Sequence, residues 1–388
     1  MPAKLGPMLR TMTNQPPHAP AYPPLPSVPV DLAALVATTD FETPAAERLH
    51  PLARAYIEGG SFAEQTLRDN LAIWDRYRLR PRVLADVASI DLTTTVLGRP
   101  TALPVGVAPA ALHGLAHPDG ELATARAAAN AGAINVLSTM SSHSIEAVAK
   151  AAPHGRRWFQ LYVQPDPALT RELVERAAAA GYEALCLTVD VPVLGYRDEV
   201  VRHRFDPGPG AYANLVRRGA WGRGNELEGA LDSRAVRLTW DSLAEIRSWA
   251  PMPLVLKGIL TAEDARLAVE HGAEAVWVSN HGGRQLDRVA AGVDALEEVV
   301  DAVAGRAEVY LDGGIRRGPD VLVALALGAR AVFTARPFLW GLACAGEAGV
   351  GRVFEILREE IERSLAIIGA ASPAAVTREH VMTVSSGR

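Results

Sequence analysis

Cysteine is nearly absent: the 388 residues contain two, Cys186 in a strand-like run and Cys344 in a helix-like run, with no CxxC pair. This scarcity argues against a disulfide framework and a cysteine metal site, and fits a reducing, cytoplasmic setting. Long apolar runs are also missing. Apolar stretches are strand-sized and interrupted by Gly, Pro or charge, so no segment is expected to span or sit in a membrane. Nor is there a basic run interleaved with aromatics, and 39 basic against 44 acidic residues leave a net charge of −5. Nucleic acid is therefore not an expected partner. What is present is material for a core: hydrophobic residues make up 49% of a length ordinary for one α/β barrel with extra segments.

The first 30 residues hold nine prolines and few charges. Proline fixes φ and donates no backbone hydrogen bond, so Pro16 to Pro29 is expected to form neither helix nor sheet. The segment lacks the continuous apolar core of a signal peptide. The expectation is a Pro-rich, flexible extension over residues 1–44, then a domain over 45–388 that opens with a helical segment.

From about Leu103 onward one pattern repeats: a short apolar run, a polar or small residue, then an Ala-rich helical stretch. Eight runs occur, at Leu103–Ala108, Ala133–Leu137, Arg157–Val163, Glu183–Val189, Pro253–Leu256, Ala275–Val278, Glu308–Leu311 and Ala331–Thr334. Stretches such as Glu121–Ala131, Thr170–Ala180, Ala262–Glu270 and Pro319–Leu327 carry helix-period apolar positions. Strands that lack alternation and are separated by helices predict a parallel sheet covered on both faces. Eight units predict closure into a (β/α)8 TIM barrel, with an open doubly wound sheet as the alternative.

The C-terminal ends of these runs deliver Pro109, Ser138, Gln160 with Tyr162, Thr188 with Asp190, Lys257, Ser279 with His281, Asp312, and Arg336. In a barrel those ends converge on the face that carries chemistry. A purely structural barrel has no use for Lys, His, Asp and Arg at one rim, where desolvation and repulsion oppose them.

The densest motif is Ser279-Asn280-His281-Gly282-Gly283-Arg284-Gln285. A histidine takes a proton near neutral pH, and an arginine presents a fork that fits a carboxylate. Together they describe a site for a substrate with a carboxylate and an ionising hydroxyl or C–H. A loop histidine beside a solvated arginine is the plain alternative. After the seventh and eighth runs come Asp312-Gly313-Gly314-Ile315-Arg316-Arg317-Gly318 and Ala335-Arg336-Pro337. Glycine-rich turns, helix N-termini and two arginines at that place suit a phosphate-bearing cofactor. Lys257 ends an apolar strand and either forms a Schiff base or stabilises a developing anion; the residues alone do not choose.

The chain resembles the FMN-dependent L-2-hydroxy-acid oxidase and dehydrogenase family, which includes glycolate oxidase, lactate oxidase, mandelate dehydrogenase and the flavin domain of flavocytochrome b2. The likeness runs from about Leu52 to the C-terminus. It rests on Pro109 to Pro118, Phe159-Gln160-Leu161-Tyr162, Leu187-Thr188-Val189-Asp190, Val255-Leu256-Lys257-Gly258, the Ser279–Gln285 string and Leu311 to Gly318. The His113-Gly114-Leu115-Ala116-His117 wording is most similar to lactate oxidase.

The resemblance implies roles. His281 would be the base, oriented by Asp190. Arg197 and Arg284 would clamp the substrate carboxylate, with Tyr162 and Tyr56 bonding its hydroxyl or carboxylate. Lys257 would stabilise the reduced flavin, and Ser138, Gln160, Thr188 and Ser279 would hold the isoalloxazine. Asp312, Gly313, Gly314, Arg316, Ala335 and Arg336 would hold ribityl and phosphate, and Pro109, Ala110 and Ala111 would face flavin N5. The family also implies a homo-oligomer, commonly a tetramer, and O2 or a quinone as electron acceptor.

Three positions depart from many relatives: Ala110 replaces Thr, Met140 replaces an aromatic over the substrate, and Ala335 replaces Gly before the phosphate arginine. His113 and His117 have the spacing of a zinc helix, but Gly114 breaks the helix and no third ligand is evident, so no metal is expected. The loop Phe205–Trp240, where membrane-associated relatives carry an anchoring insertion, is rich in Gly, Arg and Glu. It reads as a lid on a soluble enzyme. Competing readings are a non-catalytic flavin-binding barrel and an aldolase using Lys257.

Overall fold

The computed structural model describes residues 22–208, 210–215 and 238–384. The arm up to residue 21 and the central part of the expected lid, 216–237, lie outside them. The eight expected strands are all present: β1 (Val105–Val107), β2 (Ile134–Ser138), β3 (Arg156–Leu161), β4 (Leu185–Thr188), β5 (Leu254–Ile259), β6 (Ala275–Val278), β7 (Glu308–Asp312) and β8 (Ala331–Thr334). Each pairs in parallel with the next, and β8 pairs with β1 through Val332 and Val105, which closes the barrel and excludes an open sheet.

A helix follows each strand, from Gly120–Ala131 after β1 to Arg336–Ile368 after β8, the last broken at Ala345–Gly346. Sequence sets their ends. Ser144 and Thr261 accept main-chain N–H groups at two N-termini, and left-handed Gly132 terminates Gly120–Ala131. Inside the barrel Trp158, Trp277, Tyr310 and Phe333 are fully buried and interlock, with Trp277 and Phe333 ring centroids 4.1 Å apart. Against the lower barrel lies the hairpin of Thr94–Val96 and Arg99–Thr101, which buries Val96 with that cluster and takes a bond from Arg156 Nη2 to Val96 O at 3.1 Å.

Packing already begins just before residue 45. Helix Glu42–Arg48 begins before it, Thr38 and Phe41 are fully buried, and Thr38 Oγ1 donates to Arg316 O. Phe41, Ala45 and Leu49 lie one helical turn apart and form an apolar stripe in the core, so the packed body takes in the segment before residue 45.

Candidate active site

His281 sits in the loop after β6 with φ of 60°, a left-handed conformation that His tolerates better than most residues. Its main-chain N–H donates to Ser279 Oγ at 3.0 Å. Its ring bridges two strand ends: Nδ1 lies 3.1 and 3.2 Å from the oxygens of Asp190, beyond β4, and Nε2 lies 3.2 Å from Tyr162 OH, beyond β3. A carboxylate on Nδ1 fixes the proton there and leaves Nε2 as the basic nitrogen on the Tyr162 side. Asp190 can come this close because residue 258 is glycine, at φ of 110°: a Cβ there would stand 2.6 Å from Asp190 Cβ and Cγ.

Burial holds the imidazole below its ordinary pKa; Asp190 opposes this, while Lys257 and Arg197 add to it. For Asp190, burial works against the charge, but His281 and Lys257 outweigh it and keep the carboxyl below its usual range. Burial, reinforced by Asp190, pushes the Tyr162 phenol up, so its proton stays on.

Lys257 is 3% exposed, with Nζ 2.9 Å from Ser279 Oγ and 3.2 Å from Asp312 Oδ2. Burial pulls its pKa down, yet Asp312 and Asp190 together raise it above the ordinary value. A Schiff base needs a neutral amine, and a lysine whose charge two carboxylates favour does not suit an aldolase.

Four guanidiniums converge on the same cleft, and among the described residues none makes a salt bridge to a carboxylate. Arg284 Nη1 donates to Gly59 O at 2.7 Å and Arg197 Nε to Arg284 O at 3.2 Å. Arg336 donates to Ile57 O, Glu58 O and Gly282 O at 3.2–3.3 Å, and Arg316 Nη1 to Ile315 O at 3.0 Å. The carbonyls at the end of helix Pro51–Glu58 thus solvate Arg284 and Arg336 with the negative pole of that helix. Burial and mutual repulsion lower the pKa of Arg284 well below its ordinary value, and bring Arg316 and Arg336 to about 10. So much buried positive charge fits two anions, a carboxylate and a phosphate.

The turn after β7 supplies the rest of a cradle. Asp312 Oδ1 is buried without a hydrogen-bond partner among the described residues, an acceptor for a hydroxyl donor. Gly314, at φ of 76°, leaves room for the neighbouring chain, since a Cβ would fall 1.7 Å from Asn70 O.

The cleft spans about 1100 Å³, counting the space at its mouth that is open to solvent. Its wall includes Tyr56, Pro109, Ala110, Ala111, Ser138, Met140, Tyr162, Arg197, Lys257, His281 and Arg284 among the expected residues, and Asp312, Gly313, Gly314, Arg316, Ala335 and Arg336 on the other side. Gln160, Thr188 and Ser279 are not on that wall. They form a buried polar layer around the strand ends: Ser138 Oγ donates to Gln160 Oε1 at 3.1 Å and Gln160 Nε2 to Thr188 Oγ1 at 3.0 Å. Sequence reading missed the apolar lining from Ile57, Val191, Leu194 and Leu339, and the carbonyls of residues 57–59. Gly59-Gly60 after a helical stretch was the one signal for the latter.

The profile of the FMN-dependent dehydrogenases matches residues 45–383. The chain belongs to this family. L-lactate oxidase of Nostoc sp. is 50% identical over 342 residues, covering 86% of this chain and 94% of that protein. The human 2-hydroxyacid oxidase 2 is 46% identical, covering 90% and 98% respectively. Among solved structures, a mandelate oxidase with (S)-4-hydroxymandelic acid superposes with a TM-score of 0.84 at 41% identity, covering 90% of this chain and 99% of that one. As a member of the family the chain uses FMN and acts on CH–OH donors, and the cleft fits that cofactor: Arg316 and Arg336 suit its phosphate, and the orphaned Asp312 oxygen suits a ribityl hydroxyl.

Proposed function

We propose that this enzyme oxidises L-2-hydroxy acids to 2-oxo acids and passes the electrons to O2. The observation that carries the reading is the imidazole of His281, held by Asp190 and placed in one cleft with arginines that no carboxylate among the described residues pairs. Arg197 and Arg284 bind the substrate carboxylate, and the fixed anchor lowers the entropic barrier to reaction. Tyr162 and Tyr56 direct their hydroxyls at the substrate. His281 Nε2 takes the proton that leaves the substrate, and Asp190 stabilises the imidazolium that forms. Lys257 supplies positive charge where negative charge develops. Bound FMN supplies the two-electron acceptor. The names of the relatives, lactate and 2-hydroxyacid oxidases, support O2 as the final acceptor.

The test is anaerobic mixing with a panel of L-2-hydroxy acids, followed by air. Flavin absorbance should bleach with substrate and return in air with stoichiometric peroxide. No bleaching with any acid would sink the reading, and bleaching that persists in air while a quinone restores the colour would replace O2 by a quinone.

Met140 is proposed to set side-chain preference. It is 2% exposed yet lines the cleft beside Val191 and Leu194, and its main chain is held at both ends, N–H to Ser138 Oγ and O from Leu112 N–H, each at 3.1 Å. An unbranched thioether lines an apolar pocket adaptably and leaves room that an indole would fill. Larger apolar acids, aryl or long aliphatic, are expected to be preferred over glycolate, each fitted methylene contributing about 1–3 kcal/mol. Met140→Trp should move kcat/KM back toward glycolate and lactate at unchanged flavin content. Identical ranking of glycolate, lactate, 2-hydroxyoctanoate and mandelate by both proteins would show that residue 140 does not set specificity.

A further inference from the structure

Asn70 lies outside the barrel, on the helix Gln65–Ala72, and carries none of the roles above. It is 2% exposed, and Asn280, the residue before His281, is 3% exposed. The two side-chain amides bond reciprocally: Asn70 Nδ2 donates to Asn280 Oδ1 at 3.0 Å, and Asn280 Nδ2 donates to Asn70 Oδ1 at 2.7 Å. Neither amide can be turned over. Asn280 Oδ1 also accepts from Gly283 N at 3.2 Å, and its Nδ2 also donates to Ala290 O at 3.0 Å. All four bonding positions of that amide are therefore used, and a flip would set donor against donor and acceptor against acceptor.

This lock grips the segment in which His281 takes its left-handed conformation. Such a conformation persists only where the surroundings over-determine it. Ser279 Oγ holds the His281 N–H from one side, and the Asn280 amide holds the chain on both sides, at residue 280 and at Gly283. Asn70 also abuts the turn after β7, where a Cβ on Gly313 would lie 3.5 Å from its Oδ1.

We propose that Asn70 is a positioning residue: its amide, acting through Asn280, fixes the aim of the His281 imidazole. The proposal rests on His281 being the base. In outline, Asn70→Leu keeps the size and removes both bonds, while Asn70→Asp keeps the acceptor for Asn280 Nδ2 and loses the donor.

Both variants are loaded with FMN, and rates are expressed per bound flavin. Asn70→Leu should slow anaerobic flavin reduction about 10–100-fold, the scale of a small misplacement of a catalytic group. KM should change less than about threefold, because the arginine clamp is untouched and misaim acts on the chemical step. Its acid limb in kcat/KM should shift, and the His281 ring ¹⁵N resonances of the resting enzyme should move. Asn70→Asp should lie between Asn70→Leu and wild type. A lowered Tm with wild-type rate, acid limb and His281 resonances in both variants would reduce Asn70 to a structural role and overturn the proposal. Should Asn70→Leu fail to load, the same readouts on Asn70→Asp decide. His281→Gln is measured alongside. If it alone is slow, this proposal fails; if neither is slow, the reading of His281 as base fails first.

Discussion

His281→Gln is expected to leave FMN bound while slowing anaerobic flavin reduction about 10²–10⁴-fold, the usual worth of a positioned acid–base group. Glutamine can still donate to Asp190 and face Tyr162, so the geometry survives while the basic nitrogen is lost. The pH dependence carries an independent sign. The imidazole is held below its ordinary value of 6.5, so the neutral, competent form dominates at pH 7 and the acid limb of kcat/KM falls below pH 6.5. Asp190 is the group that raises His281, so Asp190→Asn should move that limb to still lower pH. The same change frees the imidazole to adopt either tautomer, so the plateau rate should fall as well. Flavin content by absorbance and stopped-flow reduction from pH 5 to 9 measure all of this. Near-normal reduction by His281→Gln would mean that the proton leaves by another route.

The barrel was legible because a strand buried on both faces must be apolar along its whole length. Ala275–Val278 and Ala331–Thr334 coincide with β6 and β8 for that reason. The run Arg157–Val163 overshoots β3, since Tyr162 and Val163 continue its apolar character after the ladder has ended and Tyr162 N–H has turned to Thr139 Oγ1. The side chains of the site were legible where chemistry needs a particular group at a strand end, as with His281, Lys257 and Asp312. Contributions made by the main chain were not. Any residue type supplies a carbonyl, so apart from the helix end marked by Gly59-Gly60, nothing at residues 57–59 announces that they solvate Arg284 and Arg336. Partnership across distance was equally hidden: Asn70 and Asn280 are 210 positions apart, and an asparagine in a polar helix looks like a solvated one.

Lys257→Met is expected to lose rate and stability for separable reasons. The rate effect comes from removing a fixed, desolvated positive charge from the cleft, and flavin reduction should slow about 10²–10³-fold, as when a preorganised electrostatic partner is deleted. The stability effect comes from what is left behind. Asp312 is 6% exposed, its Oδ1 is unpartnered among the described residues, and Lys257 Nζ at 3.2 Å from Oδ2 is the cation that balances it. Breaking a buried pair from one side costs about 3–5 kcal/mol, so Tm should drop clearly. The double variant Lys257→Met/Asp312→Asn removes the orphaned charge and should recover most of the lost Tm without recovering the rate. Linkage gives a further check. The lysine's folded pKa is raised above its ordinary 10.5, so its contribution to stability is complete below pH 10.5 and is lost as pH rises through the folded value. Wild-type Tm should therefore fall more steeply than that of the double variant at pH above 10.5. Thermal unfolding and stopped-flow reduction on the same preparations separate the two effects. A wild-type reduction rate in the single variant would confine Lys257 to balancing Asp312, and recovery of rate in the double variant would show that the orphaned carboxylate, not the missing ammonium, had slowed the enzyme.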